Sequence, residues 1–451
     1  MRFTISDIFK FQVPCAVISW VWVLGVNYPV WDDWTLMFQS ADALLSVPDP
    51  RMFVWAVIQM LPFPLYFYHV AVLFCTWAIA YCLGALLLEV WKLPYHLALI
   101  ASVAMICIPV NPARVAVVNF PYLLSFTIYA YATLRFVRLP SLGSQLLISA
   151  LWMLSFMTPS LLLFHYAIML IVGYKLNIFK SYFYGLALLL PLVAWLIRYV
   201  FFQPEDVYAT YYAIQVKDVL PAILSSVWVC MRQVYELSMY AFAPIVLGVF
   251  VMAWLPIVLV IRKIQWDIPF SAYHWLLAGF VLMLVAVYPY MLIHKEPGLW
   301  DWQSRHQLLM PPGILLLSIA ILKFVSMPLR PYVAAVFLSV GISMCISFGM
   351  EWYRDSQQIR KLQKVIDTGM AGGDYHTIQI EITEPGLFAF NRKLRMYELT
   401  GMRMQDSVKQ NRLLYAIPPG TPVLERHYLS DTYFLRDYVP GFGDTLKLKY
   451  P

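Results

Sequence analysis

Two carboxylates stand side by side in Tyr28-Pro29-Val30-Trp31-Asp32-Asp33-Trp34-Thr35, directly after the first long apolar segment of the chain. Acids beside a bilayer are costly and mark functional sites. Trp31 and Trp34 flank the pair, and tryptophan concentrates at headgroup depth. Adjacent carboxylates can divide their work, because the charge of one raises the pKa of the other. One would act as base toward an acceptor hydroxyl, while its neighbour holds the acceptor or a cation. Asp32 and Asp33 are the candidate catalytic groups.

A second polar constellation spans residues 294–306, where His294 and Lys295 precede the turn Pro297-Gly298, and Asp301, Arg305 and His306 precede the next apolar run. Arginine and histidine at the mouth of a helix suit a phosphate, because the guanidinium offers a planar fork of donors. Arg114 is the only charge in 111–119, and Arg198 falls in the last turn of an apolar segment. Each reads as a phosphate contact or as an interface anchor. Glu205, Asp206 and Asp301 could contact the acceptor. With the Asp pair they are also oxygen ligands suited to a divalent ion such as Mg2+ or Mn2+, although the spacing does not demand one. The chain has no Walker loop, HExxH, GxSxG or CxxC pair.

The segments that must position these groups are apolar. The chain has 451 residues, 61% hydrophobic and 13% charged, far too little charge to solvate a globular surface. Apolar runs near the spanning length of about twenty residues recur to about residue 350. They give eleven spans: 12–30, 66–90, 95–110, 120–137, 144–158, 160–174, 182–201, 238–261, 270–293, 307–325 and 331–350. With the N-terminus inside, the inner segments carry Arg2, Lys10, Lys92, Arg135, Arg138, Lys175, Lys180, Arg262, Lys263, Lys323 and Arg330. That is the positive-inside pattern. Both constellations, together with the loops 31–65, 111–119 and 202–237, then fall on the outer side. The net charge of +7 follows from topology, since the basic residues are dispersed, and does not indicate nucleic acid.

Six cysteines lie in or beside apolar segments without metal-ligand spacing and read as small packing residues. His69, His96, His165 and His274 read as packing or helix–helix hydrogen bonds. Beyond residue 350 the composition changes, and 351–451 hold 26 of the 57 charged side chains. Glu351 to Thr368 reads as a polar helix continuing the last span, and His376 to Ile382 alternates like a strand. The expected fold is therefore an all-α polytopic membrane protein over 1–350 with a small outer α/β domain over 351–451.

An Asp-Asp after the first span, about eleven spans, Ser304-Arg305-His306 at a late outer helix mouth and an outer C-terminal domain together resemble the GT-C glycosyltransferases. These integral membrane enzymes take sugar from a polyprenyl-phosphate donor, and the resemblance covers roughly 1–350. It implies that an acid of the first outer loop activates the acceptor, which maps onto Asp33, with Asp32 next. It also implies that a late-loop arginine binds the lipid-linked phosphate, which maps onto Arg305. His306, Lys295, His294, Arg114 and Arg198 complete the expected donor-phosphate contacts. The bacterial members closest in size decorate O-antigen, lipid A or pilins, so the resemblance implies a bacterial inner membrane, a site facing the periplasm, and a surface glycan or protein acceptor. The alternative from another class is a transporter or flippase of a lipid-linked glycan. Such proteins place charges near the midplane, often in repeated halves, and these spans show neither.

Overall fold

In the computed structural model, the described residues are 3–26, 44–45, 49–60, 65–138, 141–202, 218–299, 302–370, 377–382 and 445–450. Asp32, Asp33, Glu205, Asp206 and Asp301 lie outside them.

A π-helical turn, Ile8–Gln12, leads into α1 (Val13–Trp20), which resumes after one residue as Trp22–Gly25. There follow α2 (Pro50–Met60), α3 (Leu65–Glu89), α4 (Tyr95–Cys107), α5 (Phe120–Val137), α6 (Leu142–Ser155), α7 (Ser160–Leu176) and α8 (Tyr182–Phe201). The second half holds α9 (Val219–Tyr240), α10 (Pro244–Ile261), α11 (Ala272–Met291), α12 (Met310–Phe324) and α13 (Arg330–Met370). Six described helical segments are long and apolar enough to cross a membrane: Phe67–Glu89, Val117–Val137, Tyr182–Phe201, Pro244–Ile261, Ala272–Met291 and Met327–Lys364. Five more, Lys10–Gly25, Tyr95–Cys107, Leu142–Ser155, Ser160–Leu176 and Met310–Phe324, are apolar but shorter. Without water, a spanning backbone must satisfy its own polar groups, which is why these runs are helices.

One element departs from the sequence expectation. Residues 202–237 read as a loop, yet α9 occupies Val219–Tyr240. Its buried residues Ala222, Ser226, Val229, Cys230 and Gln233 recur at the spacing of one helical face. Arg232 and Glu236 pair across one turn at 3.3 Å. The charges that hid the helix from a hydropathy reading flank this face and are themselves half-buried.

The polar continuation of the last span is present, since α13 runs unbroken for 41 residues. The alternating segment forms β1 (Thr377–Ile382), which pairs in parallel with β2 (Thr445–Tyr450), Thr377 opposite Thr445 and Ile382 opposite Tyr450.

Charged contacts segregate to two ends of the bundle. At one end Glu89 pairs with Arg138 at 2.8 Å, and Arg330 donates to the Trp266 carbonyl at 2.5 Å. Lys323 donates to the Ile268 carbonyl there. At the opposite end gather Asp49, Arg51, Arg198, Asp218, Arg232, His294 and Glu296. Helices α11 and α12 meet through glycines. A Cβ on Gly279 would lie 2.9 Å from the Gly313 carbonyl oxygen, and one on Gly313 would lie 2.8 Å from that of Gly279. Small residues let apolar helices approach to backbone contact, and this contact fixes the two helices that carry residues 294–307 between them.

Candidate functional site: a cationic cluster at one end of the bundle

The segment after α11 turns sharply. His294 N–H donates to the Met291 carbonyl at 3.1 Å and Lys295 N–H to the Tyr290 carbonyl at 2.9 Å, with His294 left-handed at φ 55°. This is the paired bonding of a Schellman motif, here without its usual glycine. It turns the two expected phosphate contacts to different surroundings. The His294 side chain is exposed and meets Asp218 at 3.4 Å. Lys295 is drawn among the cations described below.

Residues Trp302–Gln307 then form a 3-10 turn pinned to a second 3-10 turn, Pro112–Val115. Asn111 N–H donates to Gln307 Oε1 at 2.9 Å and Ala113 N–H to Ser304 Oγ at 3.0 Å. Gln307 Nε2 donates to Gln233 Oε1 at 2.5 Å, and Gln233 Nε2 to the Pro297 carbonyl at 2.7 Å. Gln233 and Gln307 are fully buried. A satisfied buried amide network of this kind orders its surroundings. It ties three separate parts of the sequence to the turn bearing Arg305 and His306.

Arg305 Nε–H donates to His306 Nε2 at 3.1 Å, and the His306 ring stacks on Tyr290 with centroids 4.3 Å apart. Tyr290 in turn donates its hydroxyl to Ser160 Oγ at 3.2 Å. Burial, then Arg305 and Lys295, hold the His306 imidazole well below its ordinary pKa, so it is neutral. With Nε2 accepting, the proton sits on Nδ1. That nitrogen is buried and has no hydrogen-bond partner among the described residues.

Lys295 belongs to the same group. Burial, then Arg305 and Arg51, push its pKa down to about 7. Arg51 was not among the sequence candidates. It lies in the first turn of α2, where Asp49 Oδ1 accepts the Arg51 backbone N–H at 2.9 Å, a helix N-cap reinforced by Pro50 at the first helical position. The Arg51 guanidinium donates to both Asp49 oxygens and to the Tyr122 hydroxyl. Arg198 Nη2 approaches the same Asp49 from α8 at 3.9 Å. Burial raises the Asp49 pKa, but Arg51 and Arg198 outweigh it and leave the carboxyl below its usual range. Four basic side chains from α2, α8 and the 294–307 segment therefore gather: Arg51 and Arg198 share Asp49, and Lys295 lies in the field of Arg51 and Arg305. That arrangement suits an anion.

Arg114 stands apart from this cluster. Its guanidinium donates to the Asn111 carbonyl at 3.1 Å and the Val110 carbonyl at 2.7 Å, and it lies 3.7 Å from the Trp20 ring centroid. Burial lowers its pKa to about 10, which leaves it charged, and its contacts are those of a clamp on the bend after α4. The histidines expected to pack do so in two cases, with His69 3.0 Å from the Val115 carbonyl and His165 3.0 Å from that of Ala187. Among the described residues no group of three or more His, Cys, Asp or Glu is placed to hold a metal ion.

Arg305, His306, Lys295 and Arg198 are thus brought together, whereas Arg114 and the His294 side chain are not. Asp49, Arg51, Tyr122 and Tyr290 are additions. The Asp49-Pro50-Arg51 sequence carries a helix-start signal that would have located the first two. No protein-family model, curated protein or solved structure matches the chain.

Proposed function

We propose that the chain is a glycosyltransferase of the GT-C type that moves sugar from a polyprenyl-phosphate carrier to an acceptor at the outer surface of a bacterial inner membrane. The reading takes the bundle as eleven spans, with the N-terminus inside and residues 351–451 as a small α/β domain on the periplasmic side. One observation supports it above the rest: Arg51, Arg198, Lys295, Arg305 and His306 meet at the end of the bundle that the basic-residue pattern makes outer. A polyprenyl tail stays in the bilayer, so its phosphate would lie at headgroup depth, where this cluster falls on that topology.

In the reaction, the acceptor hydroxyl (or amide) attacks the anomeric carbon and the carbon–oxygen bond to the carrier phosphate breaks. The electron pair leaves on the phosphate oxygen, whose developing charge the cationic side chains stabilise. Asp33, or Asp32 in its place, receives the acceptor proton, which is typically worth about 10²–10⁴-fold in rate. The first outer loop is where these residues lie in sequence, 16 or 17 positions before Asp49. Glu205, Asp206 and Asp301 remain the proposed acceptor or divalent-ion contacts.

The test is transfer by purified protein from a synthetic polyprenyl-phosphate sugar, with mass spectrometry of surface glycans and pilins from cells with and without the gene to name sugar and acceptor. Asp33→Asn and Asp32→Asn should each reduce turnover while leaving expression intact. Full turnover in both variants rejects the base assignment.

A further inference from the structure

The basic side chains form two pairs on different elements. Arg51 and Arg198, from α2 and α8, are drawn together by one carboxylate, Asp49. Lys295 and Arg305 come from the single segment between α11 and α12, with His306 against Arg305. The pairs adjoin at the turn 157–160: Arg198 donates to the Met157 carbonyl at 3.4 Å, and Tyr290, on which His306 stacks, donates to Ser160 Oγ at 3.2 Å. One tetrahedral phosphate is well served by one such pair, and two adjoining pairs match two phosphoryl groups in succession. His306 supplies a further observation. It is 6% exposed, and its Nδ1–H has no acceptor among the described residues. A buried donor without an acceptor is unfavourable, and its position beside Arg305 favours an anionic oxygen as the missing partner.

We propose that this cluster is a diphosphate site, with Lys295, Arg305 and His306 holding one phosphoryl group and Arg51 and Arg198 the next. Asp49 is a positioning residue that sets the spacing of the two arginines. The inference deepens the glycosyltransferase reading and rests on it only for the sugar and lipid attached to the diphosphate. If a sugar is transferred, the bond that breaks is that between the anomeric carbon and the nearer phosphoryl oxygen. The electron pair goes to the diphosphate and the acceptor proton to the base.

The test uses the full chain in nanodiscs, without divalent ions, titrated with inorganic phosphate, pyrophosphate and tripolyphosphate by calorimetry. Pyrophosphate should bind at least about tenfold tighter than phosphate, and tripolyphosphate, although more highly charged, no tighter than pyrophosphate. Arg51→Lys and Arg198→Lys keep the charges but lose the forks, and should weaken pyrophosphate more than they weaken phosphate, closing the gap between the two ligands. Arg305→Lys should weaken both. Affinity that simply climbs with ligand charge, or a pyrophosphate preference that survives both substitutions, overturns the proposal.

Polyprenyl diphosphate and polyprenyl monophosphate in the same discs separate a lipid-borne group from a soluble one. Competition by both lipids, with the diphosphate at least about tenfold more effective than the monophosphate, is the expected result. Sugar transfer from a lipid monophosphate donor but not from a lipid diphosphate donor would sink the diphosphate site and leave the enzyme reading standing. An intact pyrophosphate preference with transfer from neither donor would do the reverse.

Discussion

Arg305 donates its Nε–H to Nε2 of His306, its immediate neighbour, at 3.1 Å. This contact fixes what the histidine can do. A ring nitrogen that accepts from a guanidinium cannot also take a proton from a substrate, so His306 is a donor through Nδ1 and not a base. Asparagine carries its amide near the Nδ1 position, while glutamine carries it near Nε2. His306→Asn should therefore retain anion binding within about threefold, whereas His306→Gln should lose about 1–3 kcal/mol beyond that for the hydrogen bond left unmade. Calorimetry with inorganic phosphate measures both, and equal losses would show that the tautomer does not matter.

The pKa of about 7 at Lys295 gives anion binding a pH dependence with a definite sign. Below that value the ammonium is charged and contributes attraction. As pH rises through about 7 it loses its proton and the contribution falls away. A bound anion favours the charged form and shifts the midpoint upward in the complex. His306, held well below its ordinary value, stays neutral across the same range and does not offset the change. Affinity for sulfate, which does not itself titrate in this range, should therefore fall between about pH 7 and 9, and Lys295→Arg, which stays charged, should flatten the profile. An unchanged profile in that variant would assign the titration to another group.

Much of the membrane fold is legible in the sequence, because a long apolar run in lipid has few alternatives to a helix. Helix α9 was missed for a physical reason. Arg232 and Glu236 lower its apparent hydrophobicity, and only the spacing of Ala222, Val229 and Gln233 reveals the buried face. The site was half visible. Arg305, His306 and Lys295 share one segment, and Arg198 stood out as a charge at the end of an apolar run. Arg51 and Asp49 gave only a helix-start signal, and nothing local connects residue 49 to residue 198. Arg114 shows the opposite limit. A lone arginine looks the same in sequence whether it faces a ligand or the carbonyls of Val110 and Asn111.

That difference is testable. Arg114→Gln removes the charge over Trp20 and leaves the Val110 and Asn111 carbonyls poorly served. The cost should appear as lost folded protein and a lower unfolding temperature, about 2 kcal/mol or more, with the phosphate affinity of the surviving fraction within about twofold of the parent. A well-folded variant with strongly weakened phosphate binding would put Arg114 back at the site.

The amide network offers the last prediction. Gln307 Oε1 accepts from Asn111 N–H at 2.9 Å, and Gln307 Nε2 donates to Gln233 Oε1 at 2.5 Å. Gln307→Leu strands one buried backbone donor and one buried acceptor, and should cost about 2–4 kcal/mol. Gln233→Leu strands Gln307 Nε2 and leaves the Pro297 carbonyl only its 3.3 Å bond from Arg232, so it should cost somewhat less, about 1–3 kcal/mol. In the double variant the Gln233–Gln307 bond is lost once and not twice, so the combined cost should fall short of the sum by about 0.5–3 kcal/mol. Thermal unfolding in detergent reads the stability. Anion affinity should fall in parallel, because the same network holds the turn that carries Arg305 against the Pro112–Val115 turn. Strictly additive costs with unchanged affinity would mean that the turn keeps its position without the two amides.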